Sequence, residues 1–297
     1  MTPAIEAERL TKRYGKRTGI DRIDVGVPEG ALFGFLGPNG AGKTTLIRLL
    51  MGFLRPSAGQ SRIHGRECWA DAHVIKREVG YLPGDLRVYP WMTARSAVTL
   101  SARARRMDLE SAGEQLAERF RLDPTVPVRR MSRGMRQKVG IILALAHRPR
   151  VLVLDEPTSG LDPLMQDELS GVLREMSAAG STVFFSSHTL SEVETLCTQI
   201  AIVRDGRIVA DEPLESLRAR AVRQVVLRFE RGAMPSADPP ASLIVEDRVG
   251  NVWRCRLEGE VGPLIHWLAS QRIEDVSISQ PDLEGVFRRF YREDADA

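Results

Sequence analysis

Gly37-Pro38-Asn39-Gly40-Ala41-Gly42-Lys43-Thr44-Thr45 is the stretch from which the rest of the chain can be read. It fits the pattern Gly-x-x-x-x-Gly-Lys-Ser/Thr. Residues 31–36 before it form a short apolar run of strand character. After it Leu46, Ile47, Leu49, Leu50 and Phe53 recur at helical spacing up to Arg55-Pro56. Strand, glycine loop and helix in that order place the loop at a helix N-terminus, where backbone N–H groups converge on an anion. Chance alone gives the pattern in roughly one 300-residue chain in a hundred, and the flanking strand and helix make it rarer still.

The residue types fit phosphate chemistry. Gly37, Gly40 and Gly42 allow the backbone to wrap phosphate oxygens where a Cβ would collide. Lys43 supplies a point charge between β- and γ-phosphates, and the Thr44 hydroxyl is a hard ligand for Mg²⁺.

At 297 residues with 43% apolar content, the chain has room for one large domain and a small one. Forty-two basic against 39 acidic residues leave a net charge of +3, which sets no strong demand for nucleic acid or a membrane surface. Cys68, Cys197 and Cys255 are odd in number, far apart and in no metal-ligand spacing, and are read as reduced core thiols of a cytosolic protein. No secretory leader, internal repeat or low-complexity segment is visible, and no apolar run approaches the ~18 residues of a membrane span. The expectation is a chain that neither crosses a membrane nor leaves the cell.

The entry to the chain is β-rich, with strands over residues 20–27 and 32–36 broken at Tyr14-Gly15 and at residues 28–30. Tyr14 lies in the basic stretch Lys12-Arg13-Tyr14-Gly15-Lys16-Arg17. It suits both a turn aromatic and a ring that stacks on a nucleotide base, and the sequence leaves both readings open. Residues 93–121 turn helical, and Arg103, Arg105 and Arg106 are read as a solvated face, since no aromatics interleave to suggest nucleic acid.

Residues 131–138 precede Val139, Ile142, Leu143 and Ala146 at helical spacing, with Ser132 placed as an N-cap and Gly134 beside it. This second helix N-terminus is read either as an ordinary capped helix or as a second anion site. Residues 151–156, Val-Leu-Val-Leu-Asp-Glu, have the form of a buried parallel strand whose acidic residues emerge at its C-terminal end. There Asp155 can hold Mg²⁺ and Glu156 can accept a proton from an attacking water, with strand alternation expected to place them on different faces. Asp162 and Pro163 begin a helix that ends near Gly180, residues 182–186 form the next strand, and His188 follows at its tip. After about residue 220, strands at 225–229, 242–245, 252–257 and 273–278, with helices at 262–270 and 281–291, suggest a small α+β domain.

With these pieces in order, the chain resembles the ATP-binding subunit of an ATP-binding cassette (ABC) transporter. Residues 37–45 look like its Walker A loop, 151–156 like Walker B with the catalytic glutamate, 159–162 like the D-loop and His188 like the switch histidine. Residues 131–135 resemble the signature motif, normally Leu-Ser-Gly-Gly-Gln. The resemblance implies an α/β P-loop NTPase of the ABC type, a RecA-like core with an antiparallel β region and a helical subdomain at about 85–150. The ATPase domain would span 1–220 and a small α+β accessory domain 221–297.

It further implies a head-to-tail pair of copies. Each ATP would lie between Gly37, Pro38, Asn39, Gly40, Ala41, Gly42, Lys43, Thr44, Thr45 and Tyr14 of one copy and Ser132, Gly134 and Asp162 of the other. Lys43, Glu156 and His188 would act in hydrolysis, with Mg²⁺ on Thr44 and Asp155. The partner implied is a separate multi-span membrane permease, and the location is cytoplasmic, peripheral on the inner face of the cell membrane. Residues 89–92, Tyr-Pro-Trp-Met, are candidates for docking it. The segment 280–287 is similar to the accessory domain of bacterial drug and antibiotic exporters, which favours export of drugs, antibiotics or other amphiphiles.

Three residues depart from the family pattern. Arg133 and Met135 replace a glycine and the glutamine of the signature, and Gly84 stands where the Q-loop glutamine is usual, leaving its role vacant or passing it to Asp85 or to water. An ABC-type ATPase acting on ribosomes or nucleic acid is the alternative, but such chains usually carry two cassettes or a long coiled-coil insertion, and neither is present. A stand-alone P-loop kinase or GTPase is opposed by the signature segment and His188.

Overall fold

Strands β3 (Leu32–Leu36) and β7 (Val151–Asp155) carry almost no polar side chain and are buried along their whole length. Strands of that kind need cover on both faces, so they occupy the middle of a parallel sheet. In the computed structural model, which describes residues 3–220, 222–233 and 237–279 together with Leu283 and Phe287, they flank β8 (Thr182–Ser187). The full order is β10-β9-β3-β8-β7-β6, with β6 (Gly80–Leu82), β9 (Gln199–Arg204) and β10 (Arg207–Pro213) completing the sheet. The pairings Leu36↔Ser187 and Asp155↔Ser186 bring the C-terminal ends of β3, β7 and β8 to one edge. Helix α1 (Lys43–Leu50) begins at that edge.

An antiparallel sheet of order β2-β1-β4-β5 is built from β1 (Ile5–Tyr14), β2 (Arg17–Val27), β4 (Ala58–Ile63) and β5 (Arg66–Glu67). Its inward residues Ile5, Leu10, Ile20 and Ile23 join Phe33, Phe35 and Phe184 in one apolar cluster. Phe184 stacks on Phe33 at 5.7 Å and meets Phe35 at 5.4 Å between ring centroids. Helices α2 (Ala72–Glu78), α6 (Pro163–Ala178) and α7 (Leu190–Leu196) lie along the chain between the sheet strands.

The helical insert consists of α3 (Ala94–Arg105), α4 (Glu110–Arg119) and α5 (Arg133–Leu145). Thr93 and Ser96 form a reciprocal capping box that fixes the start of α3. Arg103 and Arg106 are exposed as expected of a solvated face, but Arg105 is not. Its guanidinium donates to the carbonyls of Arg77 and Val79, and burial lowers its pKa. The helical pattern identified the face, and the neighbouring end of α2 turned one of its arginines inward.

The chain divides into two units, Met1–Asp211 and Glu212–Ala297, ahead of helix α8 (Leu214–Arg220) rather than after it. In the second unit β11 (Arg223–Phe229), β12 (Leu243–Val249), β13 (Val252–Leu257) and β14 (Ile273–Ile278) form an antiparallel sheet of order β12-β13-β11-β14. Helix α9 (Gly262–Leu268) supplies Leu264 and Trp267 to its core beside Leu227, Phe229 and Trp253. The helix expected over residues 281–291 lies outside the described residues apart from Leu283 and Phe287.

All three cysteines are free and buried. Burial pushes the Cys68 thiol up to about 12 and that of Cys255 up to about 11, and raises Cys197 as well. Among the described residues no helix is long and apolar enough to cross a membrane.

Phe184→Ala removes the ring between Phe33 and Phe35 and is expected to lower stability by about 3–5 kcal/mol. Urea unfolding followed by circular dichroism measures it.

Candidate active site

The loop between β3 and α1 takes its shape from glycines. Gly42 has φ +110°, and a Cβ there would lie 2.8 Å from the Gly19 carbonyl; at Gly37 a Cβ would lie 2.5 Å from the Val203 carbonyl. Helix α1 opens without an acidic residue in its first turn, so its N–H groups face the loop with no competing side-chain charge. Pro38 and Asn39 are exposed on the loop, and Ala41 is buried, its carbonyl accepting from Gly206 N–H at 2.9 Å.

Lys43 is 5% exposed. Its Nζ donates to the Gly37 carbonyl at 2.7 Å and the Pro38 carbonyl at 3.2 Å, and pairs with Glu156 Oε1 at 3.5 Å. His188 Nδ1 lies 3.3 Å from the same Glu156 oxygen. Asp155, 2% exposed, accepts from Thr44 Oγ1 at 3.0 Å through Oδ2 and from Ser186 Oγ at 2.6 Å through Oδ1. The two carboxylates do part company, but not by strand alternation. Strand β7 ends at Asp155, and Glu156 takes a left-handed φ of 49°, which swings its side chain toward Lys43 and His188.

A cleft of about 420 Å³ lies against this edge, lined by Asn39, Gly40, Thr45 and Glu156 on one side and by Tyr14 on another. Tyr14 is half exposed on the cleft wall, with the Lys12 amine 5.6 Å from its ring centre. Arg17 and Arg48 also line the cleft, two cations that the motif pattern does not mark.

Ser132, Gly134 and Asp162 do not line that cleft. Ser132 caps α5 by accepting from Met135 N–H at 3.2 Å, and Asp162 caps α6 by accepting from Met165 N–H at 3.0 Å. Gly134 packs so closely on Gly160 that a Cβ would lie 2.5 Å from its carbonyl oxygen. Arg133, the residue foreign to the family pattern, donates from Nη2 to Ser159 Oγ at 2.7 Å and so ties the signature segment to the D-loop-like segment of its own chain.

Several positioning residues escaped the sequence reading. Gln137, buried on α5, donates to the carbonyls of Glu156 at 3.4 Å and Pro157 at 2.9 Å. Glu192 on α7 accepts from Thr158 Oγ1 at 2.7 Å and from Ser187 Oγ, bracing the turn after Glu156 against the strand end that carries His188. Ser186 had a usable signal, a hydroxyl near the end of a strand adjacent to Asp155, but only the strand order makes them neighbours. At the Q-loop position Gly84 lies against Asp155, where a Cβ would stand 3.3 Å from Oδ2. The Asp85 carboxylate instead binds Arg87, at 2.9 and 3.0 Å.

A hydroxyl beside a carboxylate suits a hard divalent cation. Thr44 and Asp155 are oxygen donors 3.0 Å apart, and the described residues hold no cluster of three or more His, Cys, Asp or Glu ligands. Mg²⁺ characteristically takes one or two protein oxygens and completes its shell with water and phosphate, so the pair fits that ion.

Residues 20–159 match the family model described as ABC transporter. The chain is 35% identical to the bacitracin transport ATP-binding protein of Bacillus licheniformis over 74% of this chain and 73% of that one. It is 33% identical to a daunorubicin resistance ATP-binding protein of Streptomyces coeruleorubidus over 96% and 94%. Among solved structures, an ATP-binding subunit of an ABC transporter superposes with a TM-score of 0.68 at 29% identity, over 72% of this chain and 92% of that one. A dimeric bacterial ABC transporter cassette gives 0.67 at 21% identity, over 71% and 98%, and shares the fold. The chain belongs to the ATP-binding subunits of ABC transporters, and its enzymatic class is that family's nucleotide-binding ATPase.

Ser186→Ala leaves one oxygen of the buried Asp155 carboxylate without its donor and is expected to lower the unfolding free energy by about 1–3 kcal/mol. Thermal or urea unfolding of the variant beside the parent checks this.

Proposed function

We propose that two copies of this chain clamp ATP between them and use its hydrolysis to drive a separate multi-span membrane permease, which exports drugs, antibiotics or other amphiphiles. The observation that carries the reading is the meeting of Lys43, Glu156 and His188 at one edge of the parallel sheet, beside Thr44 and Asp155, while Ser132 and Gly134 at the start of α5 and Asp162 at the start of α6 lie outside that cleft in the same unit. Two such halves become complementary when a second copy offers its Ser132 segment to the first copy's phosphate loop. The Ser132 oxygen accepts from Met135 and keeps its own proton free to donate to a phosphate oxygen of the partner's nucleotide.

In the reaction a water attacks the γ-phosphorus in line with the bond to the β-phosphate, which breaks and releases ADP. Glu156 takes the water's proton, and His188 beside it orients the γ-phosphate. Lys43 and the loop amides counter the charge that develops on the phosphate oxygens. Thr44 and Asp155 would hold Mg²⁺, which would supply further neutralisation of phosphate charge. Tyr14, on the cleft wall, stacks on the adenine, and Gly84 leaves the Q-loop contribution to water, since Asp85 is engaged with Arg87.

Relatives named for bacitracin transport, daunorubicin resistance and Nod factor export support amphiphile export as the cargo class. Tyr89 and Trp91 stack at 5.5 Å and are 65% and 67% exposed, an aromatic knob suited to a permease's cytoplasmic segment. That partnership places the chain peripherally on the inner face of the cell membrane.

Glu156→Gln is expected to bind ATP and to accumulate as a dimer in gel filtration with ATP hydrolysis reduced at least about 100-fold; hydrolysis at the parent rate removes Glu156 from the base role. Trp91→Ala should leave basal ATPase activity of the isolated chain intact while abolishing transport in cells, and undiminished transport rejects the docking assignment. Co-purification from detergent-solubilised membranes should bring down a multi-span protein; ribosomal proteins or nucleic acid in its place reverse the reading.

A further inference from the structure

At the opposite end of the parallel sheet from the phosphate loop lies a cleft of about 550 Å³. Strands β6 and β7 start beside it, at Gly80 and Val151, and the five residues of β7 separate it from Asp155 by about 13 Å. Arg66, Arg77, Arg148 and Arg150 line it with a single carboxylate, Glu78, and Arg66 reaches that carboxylate at 3.9 Å. Among the described residues the other three arginines form no ion pair within 4 Å. The carbonyl ends of α2 and α5 also point here, and each helix end carries at most about half a negative charge. Those ends and Glu78 therefore balance roughly half of the four positive charges.

His147, immediately after α5, lines the same cleft. It is 8% exposed, and neither ring nitrogen has a hydrogen-bond partner. Burial, and after it the Arg105 guanidinium, lower its pKa to about 4, outweighing the nearby Val79 carbonyl, which acts to raise it. The ring is therefore neutral at physiological pH, with one N–H to give, and neither nitrogen meets hydrogen-bond geometry with a described group. Solvated arginines at helix ends are commonplace; a buried, unpartnered imidazole on the floor of their cleft is not.

We infer that this cleft binds a multiply charged phosphate compound, with the His147 N–H and the guanidinium groups of Arg77, Arg148 and Arg150 as donors. Arginine forks suit phosphate oxygens, and the imidazole adds a directed donor that bulk anion attraction does not need. The occupant sits at the far ends of two elements of the nucleotide machinery: α5 runs from Ser132 to this cleft, and β7 runs from the cleft to Asp155.

The full chain with ¹³C,¹⁵N-labelled histidine, titrated with inorganic pyrophosphate, tests this by NMR. His188 reports the phosphate-loop edge and His147 the cleft. The expected result is a saturable shift of the His147 signals in the parent, weakened at least tenfold in the double variant Arg148→Glu/Arg150→Glu, while the His188 response persists. Both arginines are exposed, so the variant should keep its parent unfolding midpoint. A silent His147 beside a responding His188, or a His147 response of parent affinity in the variant, overturns the proposal. Vesicles of phosphatidylglycerol in place of pyrophosphate separate the sources: a His147 response to vesicles that the variant loses assigns a lipid headgroup, and a response to pyrophosphate alone assigns a soluble compound.

Discussion

The pairing of Lys43 with Glu156, and of Asp155 with two hydroxyls, at the edge of an otherwise apolar sheet is the constraint around which the first unit is built. A buried ammonium and a buried carboxylate are tolerable only where every donor and acceptor is met. Here the loop carbonyls of Gly37 and Pro38 meet the amine, and Thr44 and Ser186 meet the carboxylate. That requirement fixes the order of the strands, because Ser186 reaches Asp155 only when β8 lies beside β7 in the register Asp155↔Ser186. It also fixes the loop, since only glycine fits at Gly37 and Gly42 without colliding with a neighbouring carbonyl.

From that edge, a second layer of polar ties runs through the unit. Gln137 holds α5 to the carbonyls of Glu156 and Pro157, Glu192 holds α7 to Thr158 and Ser187, and Arg133 holds the start of α5 to Ser159. Each tie links a helix to the turn after β7, so a shift of α5 is felt at Glu156 through a side chain that bonds its carbonyl. The substitution of arginine for glycine at position 133 adds a tie of this kind. Beside that tie, Ser132 keeps its hydroxyl as the cap of α5 and Gly134 its close approach to Gly160.

Much of the fold was legible because its signals are local. The glycine loop, the apolar runs of β3 and β7, the Ser132 and Asp162 caps and the strands and helix of the second unit through residue 278 all follow from residue type and periodicity over a few positions. Arg105 was misread as solvated because helical spacing marks a face and says nothing of the helix end that packs against it. The turn at Glu156 was misjudged because alternation holds only while the strand lasts, and a left-handed residue ends it. Arg17 and Arg48 carry no motif, so their place on the cleft wall was visible only once the sheets were folded.

The sequence alone determined which chemistry the chain can perform: the phosphate loop, the paired carboxylates and the capped helix are contiguous stretches whose geometry is set within one strand, turn or helix. The tertiary structure decided which of these groups meet. Lys43, Asp155, and Ser186 with His188 come from three separate segments, and only the parallel order of β3, β8 and β7 brings them to one edge. It also decided the unpaired state of His147, since whether a buried ring nitrogen finds a partner depends on segments distant in the chain, about which local pattern is silent.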